Sequence, residues 1–159
     1  MAPISLELRA WTLELARSKS CCTRAREIEV TKEPGDCSVL IAEDDAAIRR
    51  LVKMVLEREG YAVEAAADGV EAVLKLGLHE FDVIILDLMM PNLDGFVLME
   101  TLAKNDPQRL RRIIVTSAAS PSVIRERMRG VPFQVLPKPF DIHELSRSVR
   151  ACVDHQSVQ

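Results

Sequence analysis

Val83-Ile84-Ile85-Leu86-Asp87-Leu88-Met89-Met90-Pro91 is the stretch that decides the reading of this chain. Four apolar residues, three of them β-branched, run without alternation into one carboxylate. A short unbroken run of this kind reads as a strand buried on both faces, as in parallel sheets. Asp87 then falls at the C-terminal tip, where open α/β sheets hold their ligands. The arrangement recurs at Val39-Leu40-Ile41-Ala42, which leads into Glu43-Asp44-Asp45. Two strand tips therefore bring acid to one end of a sheet. Crowded carboxylates repel one another unless a cation sits among them, so the pattern asks for a metal.

Outward from these runs, strand and helix alternate. Strands are expected at Ser38–Ala42, Tyr61–Ala65, Val83–Asp87, Arg112–Thr116 and Phe133–Leu136. Helices are expected at Ala46–Glu59, Gly69–Leu78, Gly95–Lys104, Ser122–Arg129 and Asp141–Val153. In the first helix Ile48, Leu51, Val52, Val55 and Leu56 form the inner face, and Gly60 stops it. Asp45 and Asp141 suit N-caps, Pro121 suits a helix start, and Asn105-Asp106-Pro107 reads as a breaker. Five βα units make an α/β fold: a doubly wound, five-stranded parallel sheet covered by helices on both faces.

Composition bounds the rest. At 159 residues the chain suits one domain with an extension. Residues 1–36 read as an N-terminal extension, partly helical or disordered, residues 37–155 as the domain, and residues 156–159 as a C-terminal tail. The extension holds six basic and six acidic residues, so the net charge of −3 arises in the remainder. Ile4, Leu8, Trp11 and Leu15 share one helical stripe there, although Leu6 and Leu13 lie opposite. That segment reads as a frayed extension or as a helix that docks on the domain or pairs two subunits. Lys32-Glu33-Pro34-Gly35-Asp36 reads as a linker.

No apolar stretch reaches the ~20 residues of a membrane span, and Glu7, Arg9 and Glu14 break any signal-peptide core. A cytoplasmic, non-membrane protein is expected. So mild a net charge gives no electrostatic footprint for nucleic acid. Cys21, Cys22, Cys37 and Cys152 match no zinc spacing and read as reduced thiols, while His79, His143 and His155 read as surface residues.

Five positions fall at strand ends: Glu43 and Asp44, Asp87, Thr116, and Lys138. The intervals are 43 residues from Asp44 to Asp87, 29 to Thr116 and 22 to Lys138. Taken singly, each has a plainer reading. The acids cap a helix, Thr116 is an ordinary strand residue, Lys138 is a solvated lysine, and Asp94-Gly95 is a turn. Arg125, Arg127 and Arg129 read as a solvated helix face or a partner contact.

Taken together, the motifs Ile41-Ala42-Glu43-Asp44-Asp45, Leu86-Asp87-Leu88-Met89-Met90-Pro91, Asp94-Gly95, Val115-Thr116-Ser117-Ala118 and Pro137-Lys138-Pro139-Phe140 closely resemble the response-regulator receiver domain. This is the CheY-like family of two-component signalling, and the resemblance covers about residues 37–155. It implies a stand-alone receiver with flavodoxin-like strand order 2-1-3-4-5, the order that general fold rules already attach to CheY. It also implies that Asp87 accepts a phosphoryl group from a sensor histidine kinase or phosphotransfer protein, assisted by Thr116 and Lys138. Mg²⁺ would be held by Glu43, Asp44, Asp87 and the backbone carbonyl of Met89. Pro139 fits a cis peptide after the lysine. The output face would be the fourth helix, fifth strand and fifth helix, meeting a downstream protein or a second copy as a homodimer.

The chain departs from the family's pattern at Val135, three positions before the lysine, where an aromatic ring often reports phosphorylation. Phe133, two residues earlier, would share its face but lie farther from the site. The expected readout therefore moves to the loop after the fourth strand. The resemblance implies a signalling domain rather than an enzyme. A pseudo-receiver, acting by contact without phosphorylation, is one alternative. The other is a haloacid-dehalogenase-like phosphatase, whose general acid would have to stand where Met89 is.

Overall fold

The computed structural model describes residues 36–156. The helical stripe expected in the extension, Cys21, Cys22, most of the expected linker and residues 157–159 lie outside it. Helix assignment continues through His155 and Gln156, whose side chains are not among those described.

The apolar runs form the strands that their composition predicts. β1 (Ser38–Ala42), β2 (Ala62–Ala66), β3 (Val83–Asp87), β4 (Ile113–Ser117) and β5 (Gln134–Pro137) make one parallel sheet in the order β2-β1-β3-β4-β5. β3 and β4 are buried at every position, which is why they carry no polar alternation. The edge strands β2 and β5 are only partly buried, and their sequences are correspondingly mixed.

Five helices cover the sheet: α1 (Ala46–Arg58), α2 (Gly69–Leu78), α3 (Gly95–Asn105), α4 (Pro121–Arg127) and α5 (Ile142–Gln156). Successive strand residues point to opposite faces, so the interior divides into two cores. Leu40, Ile84, Leu86 and Val115 pack with Leu76 of α2, Met99 of α3 and Ile124 of α4. Val39, Ile41, Ile85 and Ile114 pack with Val52 and Leu56 of α1 and with Leu145 and Val149 of α5. Leu56 and Leu145 are fully buried; truncating either to alanine would cost about 2–5 kcal/mol.

Three expectations need correction. Leu51 is 48% exposed and does not belong to the inner face of α1. The breaker after α3 is structured: Pro107–Arg112 form a 3-10 helix, and β4 begins at Ile113 rather than Arg112. Within it Arg109 is buried. Its guanidinium donates to the Leu76 carbonyl at 3.0 Å and pairs with Asp106 and with Glu80. A buried arginine needs such partners, and Glu80 lies 29 residues away in sequence. Finally, α4 ends at Arg127, whose guanidinium lies 4.0 Å from the centre of the Phe96 ring, so Arg127 is not simply solvated.

His79 and His143 are exposed, as expected, with His79 set edge-on to Phe81. Cys37 and Cys152 are buried. Among the described residues no helix is long and apolar enough to cross a membrane.

Candidate functional site

The parallel order sets the tips of β1, β3, β4 and β5 side by side, and the strand ends deliver the polar residues there. Glu43 follows β1 and is buried at 3% exposure, its amide donating to the Ala66 carbonyl. Asp44, next along, is exposed. Asp45 turns away from the cluster to cap α1, accepting from the amides of Ala47 at 2.8 Å and Ile48 at 3.0 Å. The Ile48 amide, then that of Ala47, holds its carboxyl below the ordinary range. Arg49 pins this loop by donating to the carbonyls of Glu43 and Asp44 at 2.7 and 3.0 Å.

Asp87 ends β3 at 3% exposure. One carboxylate oxygen accepts from the Met89 amide at 2.8 Å, and the other accepts from the Lys138 ammonium at 2.6 Å. Lys138 also donates to both oxygens of Glu43, at 2.9 and 2.8 Å. Its backbone amide is fixed by the Ser117 carbonyl at 2.8 Å, and the Lys138–Pro139 peptide is cis. Thr116 pairs with Asp87 across the ladder between β3 and β4. Its hydroxyl oxygen is buried and has no hydrogen-bond partner among the described residues.

The charges do not balance within this cluster. Oxygen atoms of Glu43, Asp44 and Asp87 all lie within 4.8 Å of one another, against the single ammonium of Lys138. Burial raises the Glu43 carboxyl above its ordinary range; the Lys138 hydrogen bond opposes that rise and the Asp87 charge adds to it. Burial works against the Lys138 charge, but the hydrogen bonds it donates to Asp87 and Glu43 outweigh this and leave the ammonium above its ordinary range. A donor set of carboxylate oxygens, open to solvent on the Asp44 side, suits a hard divalent cation rather than a thiophilic one.

All five strand-tip positions of the sequence reading meet at this end of the sheet. Met89 contributes its amide to Asp87, while its side chain stands 65% exposed at the rim. Val135 and Phe133 both pack against the core beneath α2, α3 and α4.

Gly95 opens α3 where the sequence placed the helix start, behind an Asp94 cap; its close packing was not foreseen. A Cβ there would lie 2.7 Å from the Asp87 carbonyl oxygen and 2.7 Å from Leu88 Cα, so only glycine lets the helix approach the tip of β3. Asn92, at φ 68°, donates to Asp68 at 2.9 Å and ties the loop after β3 to the cap of α2. An asparagine beside a proline and an Asp-Gly pair was the available signal for this turn.

Comparison with known proteins agrees with this geometry. The family model of the response regulator receiver domain matches residues 39–150. The sensor kinase CckA of Brucella abortus is 33% identical over 150 residues, covering 91% of this chain and 16% of that protein. The response regulator MprA of a Mycobacterium species (strain KMS) is 35% identical over 122 residues, covering 75% of this chain and 51% of MprA. The chain thus spans at most about half the length of these two curated relatives. Among solved structures, the Francisella response regulator 1452 receiver domain has a TM-score of 0.68 at 34% identity, covering 76% of this chain and 98% of that one. The response regulator TrrA of Thermotoga maritima, solved in complex with Mg²⁺ and BeF, has a TM-score of 0.63 at 27% identity, covering 73% and 98%. With the strand order, the acid cluster and this match over residues 39–150, the chain belongs to the response regulator receiver domain family of two-component systems.

Proposed function

We propose that Asp87 accepts a phosphoryl group from a phosphohistidine on a sensor histidine kinase or phosphotransfer protein. In this reading a carboxylate oxygen of Asp87 attacks phosphorus. The new P–O bond forms as the P–N bond breaks, and the electron pair stays with the imidazole, which takes up a proton. The Thr116 hydroxyl donates to one phosphoryl oxygen. Lys138, already bonded to Asp87, holds a second oxygen as a point charge. Glu43, Asp44, Asp87 and the Met89 carbonyl would hold Mg²⁺, which when bound supplies positive charge against the repulsion between carboxylate and phosphoryl oxygens.

The observation that carries this reading is the buried, unpartnered hydroxyl of Thr116, directly across the ladder from Asp87. A fold leaves such a group unpaired at a cost, and an incoming phosphoryl oxygen would satisfy it. The altered surface would then act on a second protein through α4, β5 and α5, in the cytoplasm, with a second copy of the chain as one possible occupant.

The test is chemical. Incubation with Mg²⁺ and acetyl phosphate should add a single phosphoryl mass that hydroxylamine removes, and Asp87→Asn should add none. A label that survives Asp87→Asn would locate the acceptor elsewhere. A wild type that never labels, from acetyl phosphate or from a kinase, would make this a receiver that acts by contact alone.

A further inference from the structure

The helix α2 carries an apolar stripe on its outer surface. Val70, Leu74 and Leu78 follow one another at four-residue intervals and are 49%, 49% and 75% exposed. Residues four apart lie on one face, so the three form a continuous ridge about 12 Å long. Gly77, also exposed, falls on the same face between Leu74 and Leu78. A glycine inside a helix costs about 0.5–1 kcal/mol relative to alanine, and here it leaves the backbone bare for close approach. The other exposed apolar pair on one helix, Leu51 and Met54 of α1, is shorter.

What covers this ridge follows from where the chain enters the domain. Ser38, the first residue of β1, is tied to the residues that follow α2. Its amide donates to Asp82 at 2.9 Å, its hydroxyl donates to the Glu80 carbonyl at 3.3 Å, and its carbonyl accepts from the Asp82 amide at 2.9 Å. The segment preceding Asp36 therefore joins the domain beside the loop that leaves α2, where Glu80, bonded by Ser38, stands two residues past the most exposed leucine of the ridge. That segment contains its own helical-period stripe, Ile4, Leu8, Trp11 and Leu15, about 16 Å long at helical rise. Twenty-one positions separate Leu15 from Asp36, enough to reach any part of α2.

We propose that residues 4–15 dock along α2 of the same chain as an amphipathic helix, setting Ile4, Leu8, Trp11 and Leu15 against Val70, Leu74 and Leu78. The occupant is intramolecular because the tether begins at the ridge, which gives the segment a high effective concentration there.

Trp11 is the single tryptophan and reports the contact directly in the full-length chain. Docking predicts Trp11 emission to the blue of its value in denaturing urea, with weaker acrylamide quenching. Leu74→Asp should shift the emission red and restore quenching while leaving the urea midpoint near that of wild type, since Leu74 is half exposed. Leu8→Asp should do the same from the other partner, and Met54→Asp on α1 should leave the emission unchanged. The proposal is overturned if wild-type Trp11 already emits as in urea, if neither Leu74→Asp nor Leu8→Asp moves it, or if Met54→Asp moves it instead. A blue emission that reverts on dilution, in step with a halving of mass in sedimentation, would overturn intramolecular docking in favour of a second copy.

Discussion

Replacing Thr116 by valine separates what the domain needs for folding from what the site needs for chemistry. The residue is 1% exposed near the C-terminal tip of β4, and its hydroxyl has no partner among the described residues. Burying an unpaired hydroxyl costs about 1–3 kcal/mol on protein scales. Valine keeps the β-branched shape that a central strand favours and removes only the polar atom. The resting domain should therefore gain about 1–2 kcal/mol, read as a higher urea midpoint at unchanged slope, or about 4–8 °C in melting temperature. Phosphorylation should move the other way. A hydrogen bond to a charged group is worth about 1.5–3 kcal/mol, so label from acetyl phosphate should accumulate at least about tenfold more slowly. The reasoning fails if Thr116→Val loses 1 kcal/mol or more of stability, because the hydroxyl would then be satisfied in the resting state. It fails equally if the variant labels at the wild-type rate.

Other expected outcomes follow from the same geometry. Gly95→Ala would drive a methyl to 2.7 Å from backbone atoms of Asp87 and Leu88; it should cost about 1–3 kcal/mol in urea unfolding, and a neutral result would mean that α3 has room to shift. The Asp45 carboxyl sits below its unfolded value of 3.8, so its share of stability is present above that pH and is lost as pH falls through the folded value. Asp45→Ala should accordingly be less stable than wild type near neutrality, with the gap closing in strong acid; a gap that persists there would assign the effect to something other than the charged cap.

The fold was legible because its central strands are buried on both faces. β3 and β4 cannot afford polar residues until their tips, so Asp87 and Thr116 stand out against apolar runs. The same contrast marked Glu43, whereas Lys138, after the mixed edge strand β5, was marked by the Pro-Lys-Pro-Phe motif. The neighbourhood of Arg109 was not legible, because Leu76 and Glu80 lie 33 and 29 residues away and only Asp106, at i,i+3, is local. Leu51 was misplaced because helical spacing alone does not say how wide the buried stripe of α1 is. The resemblance set Lys138 among the acids, but its two bonds to Glu43, 95 residues away, were not legible.

The bonds around Ser38 and Arg109 give the molecule a mechanical polarity. Where the strands begin, side chains stitch neighbouring segments together: Ser38 to Asp82, Arg109 to Leu76, Glu80 and Asp106, and Arg112 to the Phe81 carbonyl. Where the strands end, Glu43 and Asp87 share the Lys138 ammonium, with an Asp44 oxygen within 4.8 Å of theirs. The contacts of the β3 tip run sideways instead, through Asn92 to the cap of α2 and through the close approach that Gly95 allows α3. The polypeptide that joins the domain at Ser38 is fastened to this stitched pole, away from the acid cluster.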